Sequence, residues 1–308
     1  MMQQWITIFF DVLCPVFILV LIGVWLQRKF SLDMYTLSKL NIYFLVPGII
    51  FTKLYETALS INILLTIAGF TLLLLGLLYL ISNAIAYLFR FSKSMRVAFS
   101  NSVIFYNSGN YGVPVNDLVF KQDPFAMSIQ VIVLLIQNIT TFSYGIFALQ
   151  SNDRSPLKAL LSYLRLPVLY AMLSALVLNM ANIQLPDAIY LPATYISDAV
   201  IAIALITLGC QVAQLRLKKN LWKVYSSVSL RLLLSPALAA GILFLFDVQG
   251  VTAQAFMISA AMPTSVNSAI IAQEYKNEPE FSAQAVLAST ICSALTVTLV
   301  IYISGQMF

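Results

Sequence analysis

Ten apolar stretches, each about as long as a lipid bilayer is thick, follow one another along this chain with only short polar connections between them. A helix that crosses a membrane needs about 20 mostly apolar residues, because a rise of about 1.5 Å per residue must cover about 30 Å of hydrocarbon. On that measure spans are expected near residues 5–27, 36–55, 62–89, 95–120, 125–149, 157–180, 191–214, 221–246, 251–274 and 282–305. The third, with Leu72-Leu73-Leu74-Leu75, and the tenth are the clearest, and the fourth is the least apolar. The longest polar connection is Gln150-Ser151-Asn152-Asp153-Arg154-Ser155-Pro156, so no soluble domain is expected. With 9% charged residues the chain cannot cover a water-facing surface; soluble domains carry about 25%. The expected fold class is therefore an all-α integral membrane protein. Met1-Met2-Gln3-Gln4-Trp5 lacks the basic residues of a cleaved signal peptide, so the first stretch is expected to remain as a span.

The basic residues give an orientation. One set of connections and span ends carries thirteen Lys and Arg: Arg28, Lys29, Lys39, Arg90, Lys93, Arg96, Arg154, Lys158, Arg216, Lys218, Lys219, Lys223 and Lys276. The other carries two, Lys53 and Lys121. Cytoplasmic loops are the basic ones, so both termini are expected outside a cell (inner) membrane. The net charge of +5 follows this topology and does not point to nucleic acid. The chain has no His, which removes the commonest metal ligand and proton shuttle. Cys14, Cys210 and Cys292 each lie in an apolar run without a CxxC spacing and read as free thiols. No H-E-x-x-H or G-x-S-x-G element supports an enzyme.

Proline spacing suggests a duplication. Cys14-Pro15-Val16-Phe17 is echoed by Leu166-Pro167-Val168-Leu169, Leu32-Asp33 by Pro186-Asp187, and Pro124 by Pro279, all at nearly one offset. The implied halves are residues 1–150 and 151–308, five spans each. Because five is odd, the second half enters the membrane inverted, which is a recurrent transporter plan.

The fourth span contains Asn107-Ser108-Gly109-Asn110-Tyr111-Gly112-Val113-Pro114, and the ninth contains Met262-Pro263-Thr264-Ser265-Val266-Asn267-Ser268. Gly and Pro interrupt helices. Both segments begin roughly 18–20 Å into their spans, near the midplane. Broken backbone is tolerated there only where protein or water satisfies its polar groups. After each break a new half-helix begins, and two helix N-termini near one place would favour an anion. The candidate substrate-binding residues are Asn107, Ser108, Gly109, Asn110, Gly112, Pro114, Pro263, Thr264, Ser265 and Asn267, joined by Gln137 and Asn138 from a polar run in the fifth span. The carbonyl ends of the first half-helices can in turn hold a cation.

These residues resemble the auxin efflux carrier family in its short-loop bacterial form. Leu37-Ser38-Lys39-Leu40-Asn41-Ile42-Tyr43-Phe44-Leu45-Val46-Pro47-Gly48 is similar to the family's second-helix segment, and Asn107 to Pro114 to its fourth-helix crossover. Ala204-Leu205 to Leu208-Gly209 is similar to its seventh-helix segment, with Ile203 where Pro is usual, and Pro263 to Tyr275 to its ninth-helix crossover. The resemblance implies ten helices, crossed broken helices 4 and 9, a scaffold part and a transport part, and elevator-type movement of a carboxylate. It leaves room for a homodimer.

Ionisable residues within spans are functional candidates. Arg231 can meet a substrate carboxylate, pair with an acid or snorkel to the cytoplasmic surface. Asp117 and Asp198, with Asp11 behind them, are candidates for coupling to Na+ or H+, while Arg165 reads as a snorkelling residue. No cofactor is expected. The function expected is secondary active transport of a small organic anion. Sodium-coupled symport of the bile acid type is the alternative within transport, and an anion channel, which needs a continuous pore, the alternative outside it.

Overall fold

Proline shapes the helices of this protein before packing does. A proline lacks the N–H that would bond four residues back. In three helices the ladder widens to five residues just ahead of one: Cys14 N–H bonds Phe9 O before Pro15, Val46 bonds Asn41 before Pro47, and Ser235 bonds Leu230 before Pro236. Each is a π-turn inside a continuing helix.

The computed structural model describes residues 2–57, 59–145, 148, 167–215 and 222–308. The polar connection 150–156, Arg165, the first part of the sixth expected span, and the basic residues Arg154, Lys158, Arg216, Lys218 and Lys219 lie outside the described residues. The described residues form helices and no strands. In chain order these are α1 (Trp5–Phe30), α2 (Met34–Glu56), α3 (Ile61–Leu88), α4 (Lys93–Ile104), α5 (Val113–Val119), α6 (Pro124–Gly145), α7 (Pro167–Met180), α8 (Asp187–Ala213), α9 (Trp222–Leu245), α10 (Gly250–Ala260), α11 (Val266–Glu274) and α12 (Pro279–Met307). Seven of them, α1, α2, α3, α6, α8, α9 and α12, are long and apolar enough to cross a membrane, and α7 and α10 are shorter apolar helices. Leu21, Leu65, Leu80 and Leu295, each over 60% exposed, belong to an apolar exterior suited to lipid.

Two bundles result. Helices α1, α2, α7 and α8 pack on one another, and α3 to α6 pack with α9 to α12. In the first bundle α1 and α8 approach closely at glycine. A Cβ on Gly209 would collide with the Val20 carbonyl, and one on Gly23 with that of Ile206. Cys210 donates its thiol to Gly23 O at 3.3 Å at the same crossing. Tyr55 ties α2 to the α7–α8 connection, accepting from Leu185 N–H at 3.0 Å and donating to Ile183 O at 3.1 Å. Between the bundles, two side-chain hydrogen bonds are found among the described residues: Ser128 to Lys53 O at 2.9 Å and Thr57 to Pro124 O at 3.2 Å.

The glycine crossing carries a prediction of opposite signs. Gly209→Ala forces two backbones apart and should lower stability by about 1–3 kcal/mol. Gly76→Ala in α3, whose Cβ would meet nothing within 4 Å, should raise it by about 0.5–1 kcal/mol through helix propensity. Melting temperatures of the two variants in detergent, moving in the same direction, would refute this account of the crossing.

Candidate functional site

The breaks predicted in the fourth and ninth spans are present, between α4 and α5 and between α10 and α11. They lie side by side and antiparallel. Tyr106 pairs with Thr264 as in a two-residue piece of sheet, Asn107 N–H donates to Pro263 O at 2.8 Å, and Ser265 N–H donates to Phe105 O at 2.9 Å. Unwound backbone thus satisfies itself across the crossing, away from any lipid-facing surface.

A helix leaves its last four carbonyls without intrahelical partners. At the end of α4, Asn101 O accepts from Phe105 N–H (3.0 Å), Ser102 O from the Thr264 hydroxyl (2.9 Å), Val103 O from Arg231 Nη1 (3.0 Å) and Ile104 O from Gln137 Nε2 (3.5 Å). At the end of α10, Met257 O and Ile258 O accept from Ala261 N–H, Ser259 O from Met262 N–H, and Ala260 O from Arg231 Nη2 and from the Ser235 hydroxyl (2.8 Å). Gln130 braces the other side, donating to Ser108 O at 2.8 Å and accepting from the Ser259 hydroxyl at 2.6 Å. Ser289 is fully buried, donates its hydroxyl to Val286 O at 3.0 Å and accepts Thr264 N–H at 3.0 Å.

The two starting ends are less occupied. Asn107 Oδ1 accepts Asn110 N–H at 3.1 Å at the head of the π-turn Ser108–Gly112, which leads into α5. Ser265 Oγ accepts Asn267 N–H at 3.3 Å at the head of α11. Both ends open on one cavity of about 70 Å³. A water needs about 10–15 Å³ on this measure, so the space suits several waters or a small carboxylate. From the second bundle it is lined by Tyr106, Asn107, Ser108, Gly109, Asn110, Leu134, Asn138, Ser265, Val266 and Asn267. From the first bundle come Ser38, Asn41, Ile42 and Val46 of α2, Val168 of α7, and Thr207 and Gln211 of α8. Among the described residues no lining side chain is charged. Asn107 Nδ2 is buried without a partner, as are Asn41 Oδ1 and Gln211 Oε1. Buried polar groups are nearly always paired, and these three belong to side chains that line the cavity.

The candidates from the sequence divide by location. Asn107, Ser108, Gly109, Asn110, Asn138, Ser265 and Asn267 line the cavity. Pro263 and Thr264 lie behind it in the crossing, Gly112 and Pro114 where α5 begins, and Gln137 in α6, donating to Ile104 O. A Cβ on Gly112 would meet Gln130 Nε2, and Pro114 falls in the first turn of α5 rather than in the break. Asp117 is half-buried one turn further along α5, and Asp198 and Asp11 are exposed; none of the three lines the cavity. Arg231 is fully buried and packs over the Tyr106 ring at 4.7 Å. Sequence reasoning did not single out Ser38, Asn41, Thr207 and Gln211 as site residues. Their signal is faint but real: polar residues at i,i+3 in α2 and i,i+4 in α8 fall on one helical face.

Comparison with known proteins gives two matches. Residues 153–301 match the sequence pattern of a family described as Membrane transport protein. The chain is also 25% identical over 299 residues to a Methanothermobacter thermautotrophicus protein named "Uncharacterized transporter", covering 94% of this chain and 96% of that one.

Proposed function

We propose that this chain, similar to the membrane transport protein family that includes the auxin efflux carriers, is a secondary carrier for a small organic anion, most simply a carboxylate. The observation that carries the reading is the antiparallel crossing that opens two half-helix starts on one cavity. Each helix start presents N–H groups and about half a positive elementary charge. Together they stabilise one negative charge, with no Lys or Arg among the described residues of the lining. The apolar part of the lining, Ile42, Val46, Leu134, Val168 and Val266, suits the hydrocarbon part of such a molecule.

The cavity is built from both bundles, and the crossing belongs entirely to one of them. That division supports elevator-type movement, in which the second bundle carries the anion past the first. In this reading α4–α5, α7 and α10–α11 cross the membrane together with the seven long apolar helices. The chain then makes ten crossings as two inverted five-helix repeats in a cell membrane, with both termini outside.

A thermal-shift screen of purified protein against small carboxylates tests the substrate class. Neutral amides of the same shape serve as controls. A ligand at 100 times its Kd should stabilise the protein by about 2.7 kcal/mol, and the amides should not. Uptake of the stabilising carboxylate into proteoliposomes should saturate and show counterflow. Equal shifts by acids and amides would remove the anion reading, and uptake without saturation would favour a channel.

A further inference from the structure

We propose that Arg231 is a built-in counter-ion of the crossing, a charge of the protein's own in the place a soluble cation would otherwise take. Where α4 and α10 end, two helix C-termini bring partial negative charge together, the mirror of the two starts that face the cavity. Such a place attracts a cation. Here Arg231 fills it, donating from Nη1 to Val103 O and from Nη2 to Ala260 O, one carbonyl from each helix end. Ser235, one turn along α9, accepts from the same Nη2 and donates its own proton to Ala260 O. The guanidinium lies over Tyr106, the residue that pairs with Thr264 across the two breaks.

Three features single this residue out. It is 0% exposed, so it does not snorkel. Among the described residues no carboxylate pairs with it. The π-turn Leu230–Leu234, widened ahead of Pro236, sets the side chain at this point of α9. A buried guanidinium balanced only by carbonyls and a hydroxyl is costly, and the two converging helix ends supply the compensating field. Arg231 therefore acts as a positioning residue. It holds the ends of α4 and α10 together, which in turn fixes where α5 and α11 begin.

The proposal rests on the carrier reading only for its consequence in transport, because its test needs no substrate. Ligand-free wild-type protein and Arg231→Ala are melted in equal concentrations of NaCl, N-methylglucamine chloride and methylguanidinium chloride. Wild type should melt at the same temperature in all three. Arg231→Ala should melt lowest in N-methylglucamine and recover in methylguanidinium, which refills the vacated space, and in sodium to a lesser degree. Sodium stabilising wild type as much as it stabilises Arg231→Ala would overturn the proposal, since removing the guanidinium would then have opened no place for a cation. Identical melting of Arg231→Ala in the three salts would overturn it as well. If Arg231→Ala does not fold, Arg231→Lys and Arg231→Gln decide the matter. Lys keeps the charge and should melt above Gln, and a Gln variant as stable as Lys would show that the charge has no part. A failed carboxylate screen leaves these outcomes standing, and a failure here leaves the carboxylate reading standing.

Discussion

Asn107→Asp should leave the protein folded and abolish its affinity for a carboxylate. The residue heads the π-turn before α5, its Oδ1 holding Asn110 N–H, and its Nδ2 is buried at the cavity without a partner. Asp caps helix starts as well as Asn does. Burying its charge carries a cost that the dipole at the helix start partly offsets, so stability should change little. Binding should fall steeply. Two unit negative charges about 4 Å apart repel by about 4 kcal/mol at an effective dielectric constant of 20, about a thousandfold in affinity. Asn107→Ser keeps a capping oxygen, adds no charge and loses only the amide donor. It should weaken binding by about 1.5–3 kcal/mol, the size of one hydrogen bond to a charged group. Melting curves with and without the carboxylate read both effects. Asp and Ser variants that bind alike would mean the cavity does not select by charge, and the converging helix starts would lose their part in recognition.

The sequence made the breaks legible because Gly and Pro act locally. Gly109, Gly112 and Pro114 in one span and Pro263 in another announce interrupted helices wherever they sit. That the two interruptions meet could be inferred only from the expected duplication, and the Tyr106–Thr264 pairing is a tertiary fact with no local trace. Arg231 illustrates the limit well. Its partners are the main-chain oxygens of Val103 and Ala260, and a carbonyl looks the same at every position of a sequence. Sequence alone left three fates open to it, and none of them names these carbonyl partners. The first-bundle wall of the cavity was missed for a related reason. Asn41 and Thr207 bond each other at 3.2 Å, and a single buried polar residue in an apolar span reads as a helix–helix contact as readily as a site. The division into two bundles could be expected only from the resemblance, since each bundle draws helices from both halves of the chain.

If the second bundle slides past the first, a tether between them should stop transport without stopping binding. The bundles meet where α2 ends and α6 begins. There Thr57 donates to Pro124 O at 3.2 Å, and Pro124 is exposed. Proline at the first turn of a helix is replaced at small cost, because its missing N–H has no partner there in any case. In a background with Cys14, Cys210 and Cys292 changed to Ala, Thr57→Cys/Pro124→Cys can be joined by a short reducible bis-thiosulfonate linker. The joined protein should bind the carboxylate as before, because the cavity lies elsewhere and the tether preserves a contact already present. Uptake into proteoliposomes should fall to near background and return on reduction with dithiothreitol. Each single-cysteine protein, treated identically, should keep its uptake. Full uptake in the joined protein would mean that this contact persists throughout the transport cycle. The movement would then lie within the second bundle, for example in opening of the Asn107–Pro263 and Ser265–Phe105 hydrogen bonds that hold the two breaks together.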